Sequence, residues 1–356
     1  MFQAIPPITS VLLTLPKLGN PYLSQASYSI LSDLLTSSVN SGTRSGTEQI
    51  PAVLAAILAS PPLKSDVTVA PSWLRVLGDT MLAYHSADAE GCAAEFLTVW
   101  KAIWAFFDST HAQTRKAVAD AIASLAQCTT LTMVQAAARE PENGKSALRS
   151  VLAQTSKALD SLAYAQAVPE LLSIISSLIR NLDMRVKVGE LTTAAETFLM
   201  PLVQQVAELR VQKNFEHKEA ADVVVSTAMR VVGPAVLLQA LPLNLEPEDR
   251  FVYSLAHSFG ADQHHRQAGR EPRAFLLPML AQPHPSPLSH FVSYFVPLSE
   301  RMFDRQQKAD AEGRQSEAKV WSVLVSQVWA GFAGYCNASP DVKSVSVFRL
   351  TSVTQI

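Results

Sequence analysis

The sequence predicts an all-α protein, a solenoid of stacked antiparallel helix pairs, and three observations predict it. Apolar residues recur at i, i+3, i+4 and i+7 through most of the chain, while strictly alternating runs are almost absent before the last fifteen positions. Only short polar turns separate the apolar stretches, which forces neighbouring helices antiparallel. Alternate helices return roughly every 40 residues, the spacing of HEAT or armadillo units. Periodicity alone also leaves open a compact, irregular helical domain.

The elements follow in order. Phe96, Trp100, Ile103, Trp104 and Phe107 share one helical face, and Val118, Ala121, Ile122 and Leu125 another, with Ser109 or Thr110 available to cap the second helix. The polar turn before that helix leads to Arg115, a feature of HEAT-like units. Pro169 suits the first turn of a helix that carries Leu171, Ile174, Ile175, Leu178 and Leu182. Phe198, Leu202, Val206 and Leu209 form its partner. Further faces are Ala220, Val223, Val224, Thr227 and Val231, then Phe291, Tyr294, Phe295, Leu298 and Met302, then Trp321, Leu324, Val325, Val328 and Phe332. Pro201 and Pro297 sit within or beside first helices. Segments 37–49, 139–146, 260–273 and 282–290 read as surface loops, none biased enough to link independent domains. Residues 1–336 therefore read as one continuous HEAT-like array, followed by an atypical tail over 337–356.

Composition narrows the function. With 48% hydrophobic and 17% charged residues the chain can bury a large core. Lys and Arg number 29 against 31 Asp and Glu, a net charge of -2, so no global field attracts nucleic acid or an anionic membrane. Any RNA contact must then be a local patch. The longest apolar run, 223–243, is broken by Arg230, Gly233, Pro234 and Pro242, whereas a membrane span needs about 20 apolar residues. No membrane segment and no secretory signal are read. Cys92, Cys128 and Cys336 are widely spaced and odd in number, fitting neither a disulfide framework nor a close metal-ligand pair.

Phosphate-binding loops, the nucleophile elbow and HExxH are absent, so no catalytic residue, cofactor, small-molecule substrate or metal is expected. His257, His264 and His265 lie near one another without a cysteine or carboxylate at helical spacing to complete a ligand set. Two small basic groups could neutralise phosphates: Arg180, Arg185 and Lys187 at a helix end and the following turn, and Arg266, Arg270 and Arg273 in a loop. Arg180 and Arg185 could equally serve the helix dipole. The helical spacing of Trp100, Trp104, Trp321 and Trp329 places them in the core rather than on a stacking surface.

Particular segments carry a resemblance. RAFLLPMLAQPHPSPLSHFVSYFVPLSERMFD (273–304), EAKVWSVLVSQVWAGFAGYC (317–336), VVGPAVLLQALPLN (231–244) and LPKLGNPYLSQASYSILSDLL (15–35) resemble the ribosomal RNA-processing protein twelve family in a fungal form. The likeness extends to about Cys336. It implies a nucleolar and nuclear HEAT-repeat scaffold that matures pre-ribosomal particles, chiefly the small-subunit precursor. Its implied partners are pre-rRNA and the Ran GTPase export system, with possible shuttling to the cytoplasm. The family has no catalytic residues to carry over, and its longer proteins make this chain a central piece. Two features depart from the family: Ala333 stands where proline is expected, and SVSVFRLTSVTQI beyond Lys343 turns to β-branched residues and serine, as a truncated gene model or read-through of a non-coding segment would. An array ending there without a polar cap is expected to expose apolar surface. An importin-type receptor shares the architecture, and a helical enzyme would need convergent titratable residues that the sequence does not offer.

Overall fold

A computed structural model describes residues 5–41, 49–141, 144–188, 190–246 and 271–338. The described residues are helical apart from one short hairpin and the connecting loops, as an all-α solenoid requires. The chain groups into two compact units, Met1–Ala194 and Ala195–Ile356.

In the first unit the helices are α1 (Ile5–Thr14), α2 (Pro21–Ser41), α3 (Ile50–Leu58), α4 (Ala70–Ala87), α5 (Ala89–Trp104), α6 (Ala112–Gln127), α7 (Leu131–Arg139), α8 (Ala147–Leu159) and α9 (Val168–Asn181). Local chemistry sets several boundaries. The Asn20 side chain accepts from the N–H groups of Tyr22 and Leu23, Asp88 from that of Gly91, and Thr130 from that of Met133, so each satisfies orphan donors of a helix start. Pro51, Pro71 and Pro169 occupy first turns, where no N–H is needed. The expected cap on α6 is not formed: His111 holds the cap position without a side-chain bond, and Ser109 Oγ accepts instead from the His111 N–H at 3.3 Å. Ser109 sits two residues before the cap position, too early to reach into the helix.

Alternate helices stack. α2, α4, α6 and α9 pack side by side in one row, while α3 and α5 lie against α4, and α8 against α5 and α9. This is the two-layer arrangement that short turns between antiparallel helices impose. The faces predicted around Phe96 and Val118 are fully buried, as are Leu171, Ile174, Ile175, Leu178 and Leu182. Trp100 stacks on Trp104 at 5.4 Å, and Trp104 and Phe107 meet Tyr164 at 6.0 and 5.4 Å. Each buried indole finds an acceptor: Trp73 the Ile57 carbonyl, Trp100 the Gln154 amide oxygen and Trp104 the Tyr164 hydroxyl. The stretch Leu162–Asn181 has the length and apolarity of a membrane span, and half of it is buried within the fold.

One element departs from the all-helical expectation. Strands β1 (Arg185–Val188) and β2 (Glu190–Thr193) form an antiparallel hairpin with Arg185 opposite Thr193. Val186 is buried, and α7 packs against β1. Alternation over four residues is too short to compete with a helical reading, so the sequence shows only a turn here.

The second unit contains α10 (Ala194–Val211), bearing Pro201 in its interior, α11 (Lys218–Val232) and α12 (Pro234–Ala240), joined at Gly233 with φ 85°. A 3-10 segment (Ala274–Ala281) follows the undescribed stretch 247–270. A π turn at Phe291–Phe295 then leads into α13 (Val296–Ala311) and α14 (Gln315–Ala338). Two faces differ from expectation. On α11 the buried residues are Ala221, Val224, Val225, Thr227, Ala228, Met229 and Val232, so Val224 and Thr227 of the expected face are buried while Val223 is 55% exposed. Val223, Val224 and Val225 are consecutive, so periodicity could not fix the rotation. On α14 Trp321, Val328 and Tyr335 are buried, but Trp329 is 48% exposed, which corrects its placement in the core. The seam runs through glycines instead: a Cβ at Gly334 would lie 2.0 Å from the Leu280 carbonyl oxygen, and one at Gly331 2.7 Å from Leu280 Cβ. α14 approaches the 3-10 segment backbone to backbone, and glycine leaves no apolar signal in a sequence pattern.

His284 is buried beneath this seam, its ring edge-on to Tyr335 at 4.4 Å, while His290 Nδ1 lies 2.7 Å from the Tyr335 hydroxyl. Desolvation pushes the His284 imidazole from 6.5 down to about 4, with the Leu280 and His284 carbonyls offsetting it only in part. The folded chain thus holds the ring neutral, whereas the unfolded chain protonates near pH 6.5. Stability from this site is complete above pH 6.5 and is lost as pH falls towards 4, by roughly 2 kcal/mol. Urea melts across that window are expected to show the decline, and His284→Phe to flatten it; an unchanged slope in the variant would remove His284 as the cause.

Candidate functional site

The basic groups divide under the fold. Arg180 lies in the last turn of α9 and Arg185 opens β1, and both side chains are exposed. Neither has a side-chain ion pair among the described residues. By contrast Arg75 pairs with Asp33 and Asp79, Arg115 with Glu170, Arg210 with Asp222, and Arg301 and Arg305 with Glu246. Lys187 lies on β1, and its side chain is outside the described residues. The helix end also places Arg180 where the dipole of α9 favours a cation.

Arg273 needs correction as a surface contact. It is 4% exposed, its Nη1 donates to the Pro242 carbonyl at 2.9 Å, and its backbone N–H donates to the Leu243 carbonyl. The guanidinium is thus engaged inside the second unit, tying the end of α12 to the 3-10 segment. Arg266 and Arg270 lie outside the described residues, as do His257, His264 and His265.

Other charged groups are structural. Glu246 is buried and receives both Nε and Nη2 of Arg301, Nη2 at 2.7 Å, while Arg305 also stands over the Trp321 ring at 5.6 Å. Arg210 chelates Asp222 and covers the Phe275 ring at 4.1 Å. Val320, Val323, Trp329 and Phe332 on α14 are exposed, the two valines and the two aromatics on different sides of that helix. Sequence reasoning missed one cluster altogether. His85, Cys92 and Cys128 lie in three helix ends, and their ligand atoms are all within 4.8 Å of one another. No short spacing announces them.

Helix pairs in stacked rows, buried aromatic seams and arginines spent on inter-helix ties define the class: a HEAT-repeat protein. The sequence profile for the HEAT repeats of ribosomal RNA-processing protein 12 matches residues 108–349, and the chain belongs to that family. Relatives agree. A Schizosaccharomyces pombe protein named as ribosomal RNA-processing protein 12 is 26% identical over 294 residues, covering 82% of this chain and 22% of its own length. RRP12-like proteins of Gallus gallus and Homo sapiens are 29% and 27% identical over 39% and 42% of this chain, and 10% of each of theirs. The chain thus spans about a fifth or less of the curated relatives it matches.

Proposed function

We propose that this chain is a non-catalytic scaffold segment of the ribosome-assembly machinery, with residues 1–336 forming one repeat array. It supports pre-rRNA processing and maturation of pre-ribosomal particles, chiefly the small-subunit precursor, in the nucleolus and nucleus. Nuclear export alongside the Ran GTPase system belongs to the same reading. The observation that carries it is membership of a family named for ribosomal RNA processing over residues 108–349. The physical properties of the chain support it. Repeat arrays offer long surfaces for several partners at once, and here buried Arg115 pairs with Glu170 of α9 while buried Glu246 in the segment after α12 pairs with Arg301 of α13.

The RNA-facing part of this proposal is local. Arg180 and Arg185, with Lys187 on the same strand as Arg185, are the described basic positions offered for phosphate contact. A net charge of -2 predicts that RNA binding by this chain alone is weak and steeply salt-dependent. Filter binding of small-subunit precursor transcripts is expected to show affinity falling with salt. The pair Arg180→Ala and Arg185→Ala is expected to lower the salt slope by about two, at similar cost for every sequence. Binding that persists at high salt, or that the paired substitution leaves unchanged, contradicts the assignment.

A further inference from the structure

Helix α4 runs unusually close to α6 because Gly78 faces it: a Cβ there would stand 3.1 Å from Ser124 Cβ and 3.3 Å from the Ala121 Cα. The two helices run in the same direction, so about two turns further on their ends meet. There His85, in the last turn of α4, comes beside Cys128, the residue that ends α6. The chain between α4 and α5 turns sharply at Asp88, whose carbonyl receives the Cys92 N–H, and this brings the first turn of α5 to the same point. Three helix ends thereby converge two sulfurs and an imidazole nitrogen within 4.8 Å.

We propose that His85, Cys92 and Cys128 hold a zinc ion that clamps the ends of α4, α5 and α6. Three atoms within 4.8 Å of one another have a common centre no more than about 2.8 Å from each, and zinc bonds of about 2.3 Å to sulfur and 2.0 Å to nitrogen need only a small contraction. Both cysteines are free and wholly buried. His85 Nδ1 is buried without a hydrogen-bond partner, a polar atom that is costly to leave unsatisfied. As thiols the sulfurs make weak hydrogen bonds to each other and 3.5 Å contacts to the Met81 and Ser124 carbonyls. Charge selects the metal. Two thiolates and a neutral imidazole around a divalent ion sum to zero, which suits a buried site, whereas a monovalent copper ion would leave a net negative charge there. On binding, both S–H bonds break, two S–Zn bonds form and two protons pass to solvent. Three protein ligands leave the fourth tetrahedral position to a water or a further group.

The test uses the full chain carrying Cys336→Ser, which removes the exposed third thiol. Purified from zinc-replete cells under reducing conditions without chelator, it is expected to contain about one zinc per molecule by elemental mass spectrometry. Cys92→Ser, Cys128→Ser and His85→Gln are each expected to lower that content at least tenfold. Because these variants could unfold, cobalt is titrated into the metal-free chain as well. Thiolate-to-cobalt charge-transfer absorption saturating at about one equivalent supports the site. Failure to take up zinc or cobalt overturns it, as does recovery of a Cys92–Cys128 disulfide from the reduced preparation.

Discussion

Trp100→Ala is expected to lower the unfolding free energy by about 3–5 kcal/mol, the largest single effect of any substitution considered for this chain. Trp100 is wholly buried in the seam between α5 and its neighbours, stacked on Trp104 and bonded through its indole N–H to Gln154 of α8 at 3.0 Å. Alanine removes the ring, strands the Gln154 acceptor and leaves a cavity that helices pinned at both ends by short turns cannot close. Trp100→Phe should recover the greater part of the loss, since it restores apolar volume and forfeits only the hydrogen bond. Urea denaturation followed by circular dichroism measures both. A Trp100→Ala protein with an unchanged midpoint would place the residue outside the core.

Arg115→Met is expected to be nearly as damaging, about 3–5 kcal/mol, for an electrostatic reason. Arg115 is buried at the start of α6, donates from Nη1 to the Ser109 carbonyl at 3.0 Å, and stands 3.6 Å from the Glu170 carboxylate in the first turn of α9. It therefore joins two helices of the same row and closes the turn that precedes α6. Removing the cation leaves Glu170 desolvated and uncompensated. Arg115→Met combined with Glu170→Leu removes both charges and is expected to recover at least half of the loss. If the double variant were as unstable as the sum of the single ones, the pair would carry no coupling and the tie between α6 and α9 would rest on packing alone.

What was legible in the sequence follows from which forces leave a periodic trace. The faces carrying Phe96 to Phe107, Val118 to Leu125 and Leu171 to Leu182 are long, apolar and bounded by proline or polar turns, and all are buried. Arg115 stands out as a basic residue early in a helix, although its partner Glu170 is visible only once α6 and α9 lie side by side. Backbone events leave weaker traces. The Arg185–Thr193 hairpin spans too few residues for its alternation to register, and the α14 seam runs through Gly331 and Gly334 beside Trp321 and Val328, so Trp329 and Phe332 point outward.

Site chemistry was harder to read for the same reason. Arg273 looks like a loop cation in sequence, yet the carbonyl at the end of α12 draws its guanidinium inward. His85, Cys92 and Cys128 share no motif spacing, because each ligand ends or begins a different helix and only the close crossing at Gly78 assembles them. Family membership was legible through segments such as 273–304 and 317–336, whose prolines and glycines are individual enough to survive when the helical pattern itself is generic. The profile match over 108–349 covers both.

The most direct test of the central claim is recovery of the protein from nuclear extract. A tagged form expressed in its own host is purified under mild salt, and the bound RNA is probed for small-subunit rRNA precursors. Enrichment of those precursors, abolished by RNase, is the predicted result. Their absence, with transport cargo and Ran recovered in their place, would contradict the ribosome-assembly account and point to an importin-type receptor.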